Sequence, residues 1–301
     1  MISKPLFMQS IKSNWGLWLA ASLTMATMIT IINTLIGTQT LTTFNIDMIG
    51  LMEYEIVLRV HKLSLVGLME TLGFNGEILN SWLKFDIQVM MDDMYYTIGC
   101  MLIPMIFVII TANKLLVDQV DRGTMAYVLS TPIKRSKVVV TQMLYLIVSV
   151  LGIFAVQAAA AIFSQLIVMK SVNASHILLL NFGGAMVTLA ISGICFLASA
   201  YFNYSKFAYA FSGGLCVFSF LAKVLGMFGN DMFATVGLGV STMKIFDYLS
   251  ILTLLDTTSI ASLQTDVPSF AFLWKFAILF GIAIITYTLS IFVFDKKDLS
   301  L

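Results

Sequence analysis

Few side chains in this 301-residue chain are of a kind that does covalent chemistry, and their spacing assembles no site. Intramembrane acid catalysis needs two carboxylates facing each other from separate spans. Here no long apolar stretch holds an aspartate or glutamate away from its ends. Asp92 and Asp93 read instead as a helix N-terminus beside Tyr95 and Tyr96, where acids meet free N–H groups. Two histidines, His61 and His176, are too few for a histidine-based zinc site. Cys100, Cys195 and Cys216 fall inside apolar runs, and an odd, buried set gives no disulfide framework. No G-x-x-x-x-G-K-[ST], H-E-x-x-H or G-x-S-x-G pattern occurs. The sequence gives no support to an enzyme.

One segment does carry an ordered pattern, from Asn113 to Met143. Asp118 and Asp121 precede Arg122-Gly123-Thr124, Val128-Leu129 follows, and then Ser130-Thr131-Pro132 and the basic Lys134, Arg135 and Lys137. Gly123 permits a break in the helix, Thr124 is placed to cap its restart, and Pro132 stops the second piece. The expected element is a short helix parallel to a membrane, with Met125, Val128 and Leu129 on one side. A loop that is basic only to hold its orientation explains Lys134, Arg135 and Lys137 but not the Gly-Thr…Leu-Ser-x-Pro order.

The elements that position this loop follow from composition. Hydrophobic residues make up 59% of the chain and charged residues 11%, with a mean hydropathy of +0.95. Soluble domains carry about a quarter charged residues, so lipid is the solvent that fits. A net charge of +1 points to no nucleic-acid partner. Six stretches are long and apolar enough to span: 15–37, 95–113, 139–169, 177–202, 207–228 and 273–294. They place both termini on one side with loops 114–138 and 203–206, which together sum to +6 against −5 opposite. Basic short loops face the cytoplasm, so both termini are expected inside.

The outer segments 38–94 and 229–272 hold helical pieces, Met48 to Leu72 and Ile245 to Leu255, expected to be interfacial or re-entrant. Residues Ser3 to Asn14 set Leu6, Phe7 and Ile11 near one face and Lys4 and Lys12 toward water. They read as a short amphipathic helix on the inner leaflet, before the chain turns into the membrane. Trp15 and Trp18 then fall at headgroup level. Lys223 and Lys275 are within snorkelling reach of the outer interface. Asn33, Gln157, Gln165, Ser192 and Ser219 are expected to join helices by hydrogen bonds.

The Asp-Arg-Gly-Thr…Leu-Ser-x-Pro-x-Lys-Arg loop resembles that of ABC-2 type transporter permeases. The resemblance takes in the N-terminal helix, the six spans and the ending Phe294-Asp295-Lys296-Lys297-Asp298-Leu299. It departs at Asp118, where glutamate is usual, at Gln142, where lysine is frequent, and in a long first outer loop. It implies one all-α permease domain over residues 1–301, with an N-terminal interfacial helix, a cytoplasmic coupling helix between spans 2 and 3 and helical outer loops. It further implies a multi-pass exporter subunit of a bacterial plasma membrane, moving an amphipathic or hydrophobic cargo: a peptide, a toxic compound or a lipid. ATP and magnesium would bind two copies of a separate ATPase, and none would bind this chain. The permease would be a homodimer or pair with a second permease. Contact with the ATPase would fall on Asp118, Asp121, Arg122, Gly123, Thr124, Val128, Leu129, Pro132 and Arg135, and on the helix carrying Lys4, Phe7, Ile11 and Lys12. The alternatives are a membrane scaffold or immunity protein that transports nothing, and a secondary carrier, although the latter would want intramembrane charges or an internal repeat.

Overall fold

The structure is a computed structural model that describes residues 3–49, 94–130, 133–168, 172–229, 240–264 and 269–297. All regular structure among these residues is helical: α1 Lys4–Ile49, α2 Cys100–Leu115, α3 Val117–Asp121, α4 Met125–Leu129, α5 Arg135–Val168, α6 Ala174–Tyr201, α7 Ser205–Met227, α8 Ile245–Leu249, α9 Thr257–Ala261 and α10 Ala271–Lys296. A π-helical turn, Tyr95–Gly99, leads into α2, and 3-10 turns flank α8 and α9. Six helical stretches are long and apolar enough to cross a membrane: Lys4–Thr34, Tyr95–Asp121, Arg135–Val168, Ala174–Tyr201, Ser205–Met227 and Ala271–Lys296. They match the six spans read from hydropathy.

Helix α6 is the hub. Its most apolar stretch is 72% buried, against 22% for α1 and α10, which lie outermost. Small residues let neighbours approach it closely. A methyl group on Gly183 would meet Leu255 and Phe276, and one on Gly184 would meet Phe154 and Met101. α1 packs along α5 and α10 along α6. Hydroxyls inside the spans mostly turn back on their own helix: Thr30 donates to the Ala26 carbonyl, Ser149 to Tyr145, Ser212 to Ala208 and Ser290 to Thr286.

Three of the five expected polar joints form between helices. Asn33 Nδ2 donates to Ser164 Oγ at 2.7 Å, and Ser192 and Tyr287 share a 2.6 Å bond. Gln157 Nε2 donates to the Tyr95 hydroxyl at 3.1 Å, while the Cys100 thiol donates to its Oε1. At Ser219 the backbone carbonyl serves as acceptor, for Ser250 Oγ at 2.7 Å, and Gln165 joins no helix among the described residues. Cys100, Cys195 and Cys216 are free and buried, as expected of core residues.

Two expectations are corrected. No turn separates the N-terminal amphipathic segment from the first span: α1 is continuous from Lys4 to Ile49, past the expected end at residue 37. Its N-terminal face is held down by α5. Ser10 Oγ donates to Gln142 Oε1 at 2.7 Å, the Ser3 N–H to Thr141 Oγ1 at 3.1 Å and Trp18 Nε1 to the Ser149 carbonyl at 3.0 Å. Lys223 and Lys275 do not reach for headgroups. Lys223 Nζ lies 3.2 Å from Asp247 Oδ1 and Lys275 Nζ 2.6 Å from Asp256 Oδ2, so acids of the second outer segment neutralise them. That segment packs back onto the bundle in part: Leu252, Leu255 and Ile260 are buried, whereas Ile245 and Tyr248 are exposed. Most of the first outer segment, including Leu51 to Leu72, lies outside the described residues.

Burial pushes the Asp256 carboxyl up, but Lys275 and the hydrogen bonds from Ser259 and Thr258 outweigh it and hold it at about 2. Its folded value lies below the usual one near ~3.9, so its stabilisation is present above ~3.9 and is lost as pH falls toward about 2. The outer segment should therefore keep its protection from proteolysis at pH 5. Lys275→Met should lower stability by about 1–3 kcal/mol, because it strands a part-buried carboxylate. The double variant with Asp256→Asn should recover part of that loss in a thermal melt. Strict additivity of the two substitutions would show that the pair is not coupled.

Candidate functional site

The loop between the second and third spans has the expected break. Gly123 has φ +69, a left-handed conformation that favours glycine, and α4 restarts two residues later. Thr124 does not cap it. Its backbone is already helical (φ −67, ψ −20), not extended as an N-cap requires, and its hydroxyl donates backwards to the Gln119 carbonyl at 3.1 Å. Met125 faces inward, fully buried in the core that includes Leu115, Leu116 and Val120. It anchors α4 to the chain's own core. Tyr127 is 80% exposed and carries the outward side. The Val128 and Leu129 side chains and all of Pro132 lie outside the described residues.

The charged candidates are tied into the bundle. Asp121 accepts from the Ser205 N–H at 3.1 Å and from its hydroxyl, and Asp118 accepts from the Tyr209 hydroxyl at 3.2 Å. The start of α7 is thereby fastened to the approach helix α3. Arg135 Nη1 donates to the Lys297 carbonyl at 3.0 Å, and Ser136 Oγ to Asp295 at 3.1 Å. Lys297 in turn donates to the carbonyls of Ala200 and Phe202, at the end of α6. Burial pushes its ammonium down to about 8, so the clamp keeps most of its charge at neutral pH and loses it as pH rises through that value. Sequence reasoning noted the Lys297 ending but not its partners, which lie about 95 residues away.

The N-terminal candidates divide as expected. Lys4 and Lys12 are exposed and Phe7 and Ile11 half-buried, with Phe7 edge-on to Tyr145 at 6.0 Å between centroids. The N-terminal and loop groups meet around one groove of about 460 Å³, whose lining includes Ser10, Ser13, Lys114, Asp118, Arg122 and Gln142. Lys114 Nζ bridges it by donating to the Ser13 carbonyl at 2.9 Å. Among the described residues no three His, Cys, Asp or Glu side chains gather to hold a metal ion.

A six-span helical bundle with an anchored helix-break-helix loop at one end defines a multi-pass membrane domain. The family model described as ABC-2 family transporter protein matches residues 10–299, and the chain belongs to that family: it is the membrane permease component of a transporter. No curated protein matches the chain.

Gly123→Ala should cost about 1–2 kcal/mol, since φ +69 strains any side chain although open space surrounds the position. Hydrogen exchange of residues 122–129 should quicken selectively. Unchanged exchange there would show that α4 does not depend on the left-handed turn.

Proposed function

We propose that the chain is an ATP-driven exporter permease whose helix α4 docks into a separate ATPase beneath the inner end of the bundle. The observation that carries this reading is the left-handed break at Gly123 followed by α4, buried at Met125 and exposed at Tyr127. Such a helix is fixed to its own chain on one side and open to a partner on the other. Family membership supports the ATPase, because permeases of this family work with an ABC ATPase.

The clamps Asp121–Ser205, Asp118–Tyr209 and Arg135–Lys297 join the docking loop to the inner ends of α6, α7 and α10. Closure of two ATPases under two permeases would then rock whole spans rather than one loop. The cargo in this reading is amphipathic or apolar. A cleft of about 260 Å³ between α5, α6 and α10 is lined by Met143, Met186, Leu189, Phe280 and Tyr287, without a charged side chain. In this reading both termini face the cytoplasm at the plasma membrane, which the excess of basic residues in the loops on their side supports.

Val128→Ala with Leu129→Ala should weaken ATPase co-purification by about 2–4 kcal/mol while membrane insertion survives. Leu129→Asp should weaken it further, by burying an unpaired charge. Normal binding and stimulation of the ATPase by an inserted Leu129→Asp variant would reduce the loop to a topological anchor. A single cysteine at Ser130 should resist impermeant reagents in intact cells and one at Thr258 should react; the reverse pattern would invert the orientation.

A further inference from the structure

The groove between α1 and the docking loop has a chemistry that docking does not use. Lys114 and Arg122, both exposed, line it, and Arg122 forms no ion pair among the described residues. Asp118 on the same wall is half-buried and is the one acid against these two cations, so the groove keeps a surplus positive charge. At its floor Gln142 is 0% exposed. Its Oε1 accepts from Ser10, but its Nε2 has no partner. An amide donor left unpaired in a buried position is costly unless something outside the chain accepts from it. Ser10 and Ser13 add hydroxyls along the α1 wall.

Depth identifies the ligand. Trp15 and Trp18 follow Ser13 and Asn14 directly on α1, and indoles settle at the headgroup level of a bilayer. The groove opens at that level, at the ends of the spans formed by α1 and α2. Two cations and an unpaired N–H at the depth of the lipid phosphates match a phosphodiester oxyanion in charge and in hydrogen-bond sense. We propose that the groove is a binding site for the phosphate of an anionic phospholipid, which bridges α1 to the docking loop through Lys114, Arg122 and Gln142. The site shares a wall with the docking loop, through Arg122, Thr124 and Tyr127, but lipid can fill it without the ATPase.

The test uses the full chain purified into nanodiscs of phosphatidylcholine with a minor share of phosphatidylglycerol, with retained lipid counted by native mass spectrometry. Wild type should retain phosphatidylglycerol selectively. Lys114→Gln and Arg122→Gln should each lower that selectivity about fivefold, the effect of about one interfacial cation. Gln142→Met should lower it without any change of charge. Because Arg122 is exposed and ties no other helix, its variant should melt as wild type does, so a signal lost there is not lost folding. Equal retention by the Lys114→Gln/Arg122→Gln double variant would overturn the proposal. Displacement of the lipid by millimolar glycerol phosphate would assign the groove to a free phosphate and overturn it too. Unchanged lipid retention with weakened ATPase binding would mark the groove as a contact for an acidic protein segment, again against the proposal.

Discussion

Lipid offers no hydrogen bonds, and that constraint governs the placement of the polar groups described within the spans. Backbone amides are satisfied inside helices, and hydroxyls such as Thr30, Ser149 and Ser290 fold back onto carbonyls one turn earlier. What remains must find partners across helix interfaces. Those partners sit where α1, α2, α5, α6 and α10 meet, at Asn33–Ser164, Gln157–Tyr95 and Ser192–Tyr287. The polar residues thus fix which helices are neighbours, while the small residues of α6 fix how near they come.

Charge is excluded from the middle of the bundle and used at its two ends in different ways. At one end Lys223 and Lys275 are matched by acids of the segment between α7 and α10, which draws that segment down onto the bundle. At the other, the fastenings rely largely on backbone carbonyls and hydroxyls, as in Lys297 to Ala200 and Asp121 to Ser205. The first end is held by ion pairs, of which Asp256–Lys275 is lost only as pH falls toward about 2. The second is a set of hydrogen bonds around a loop left open to a partner.

The spans were legible because twenty apolar residues in a row have few other solutions. The break at Gly123 was legible because a single glycine before a helical run has a local meaning. Thr124 misled because its residue type suits a cap while its backbone is already helical. Met125 lies against the chain's own core, a direction that periodicity in a five-residue helix does not reveal. The pairing of Asp121 with Ser205, or of Lys275 with Asp256, joins distant points of the chain and leaves no trace in local pattern. Joining of the amphipathic segment to the first span was hidden for a similar reason, since its buried face sets Ser3 and Ser10 beside Leu6 and is completed by Thr141 and Gln142 of another helix.

An unbroken α1 has a mechanical meaning. Over Lys4–Thr34 it is a rod about 46 Å long at the outside of the bundle, tied to α5 by Ser10–Gln142 near one end and by Asn33–Ser164 near the other. A helix jointed at the membrane surface would let one part swing and leave the other still. Without a joint, and fastened to α5 along its length, α1 moves only with that neighbour, and a tilt of the pair by about 10° at one end sweeps the other by about 8 Å. The two helices therefore form one stiff lever, whose tilt sets how far the opposite face of the membrane is displaced.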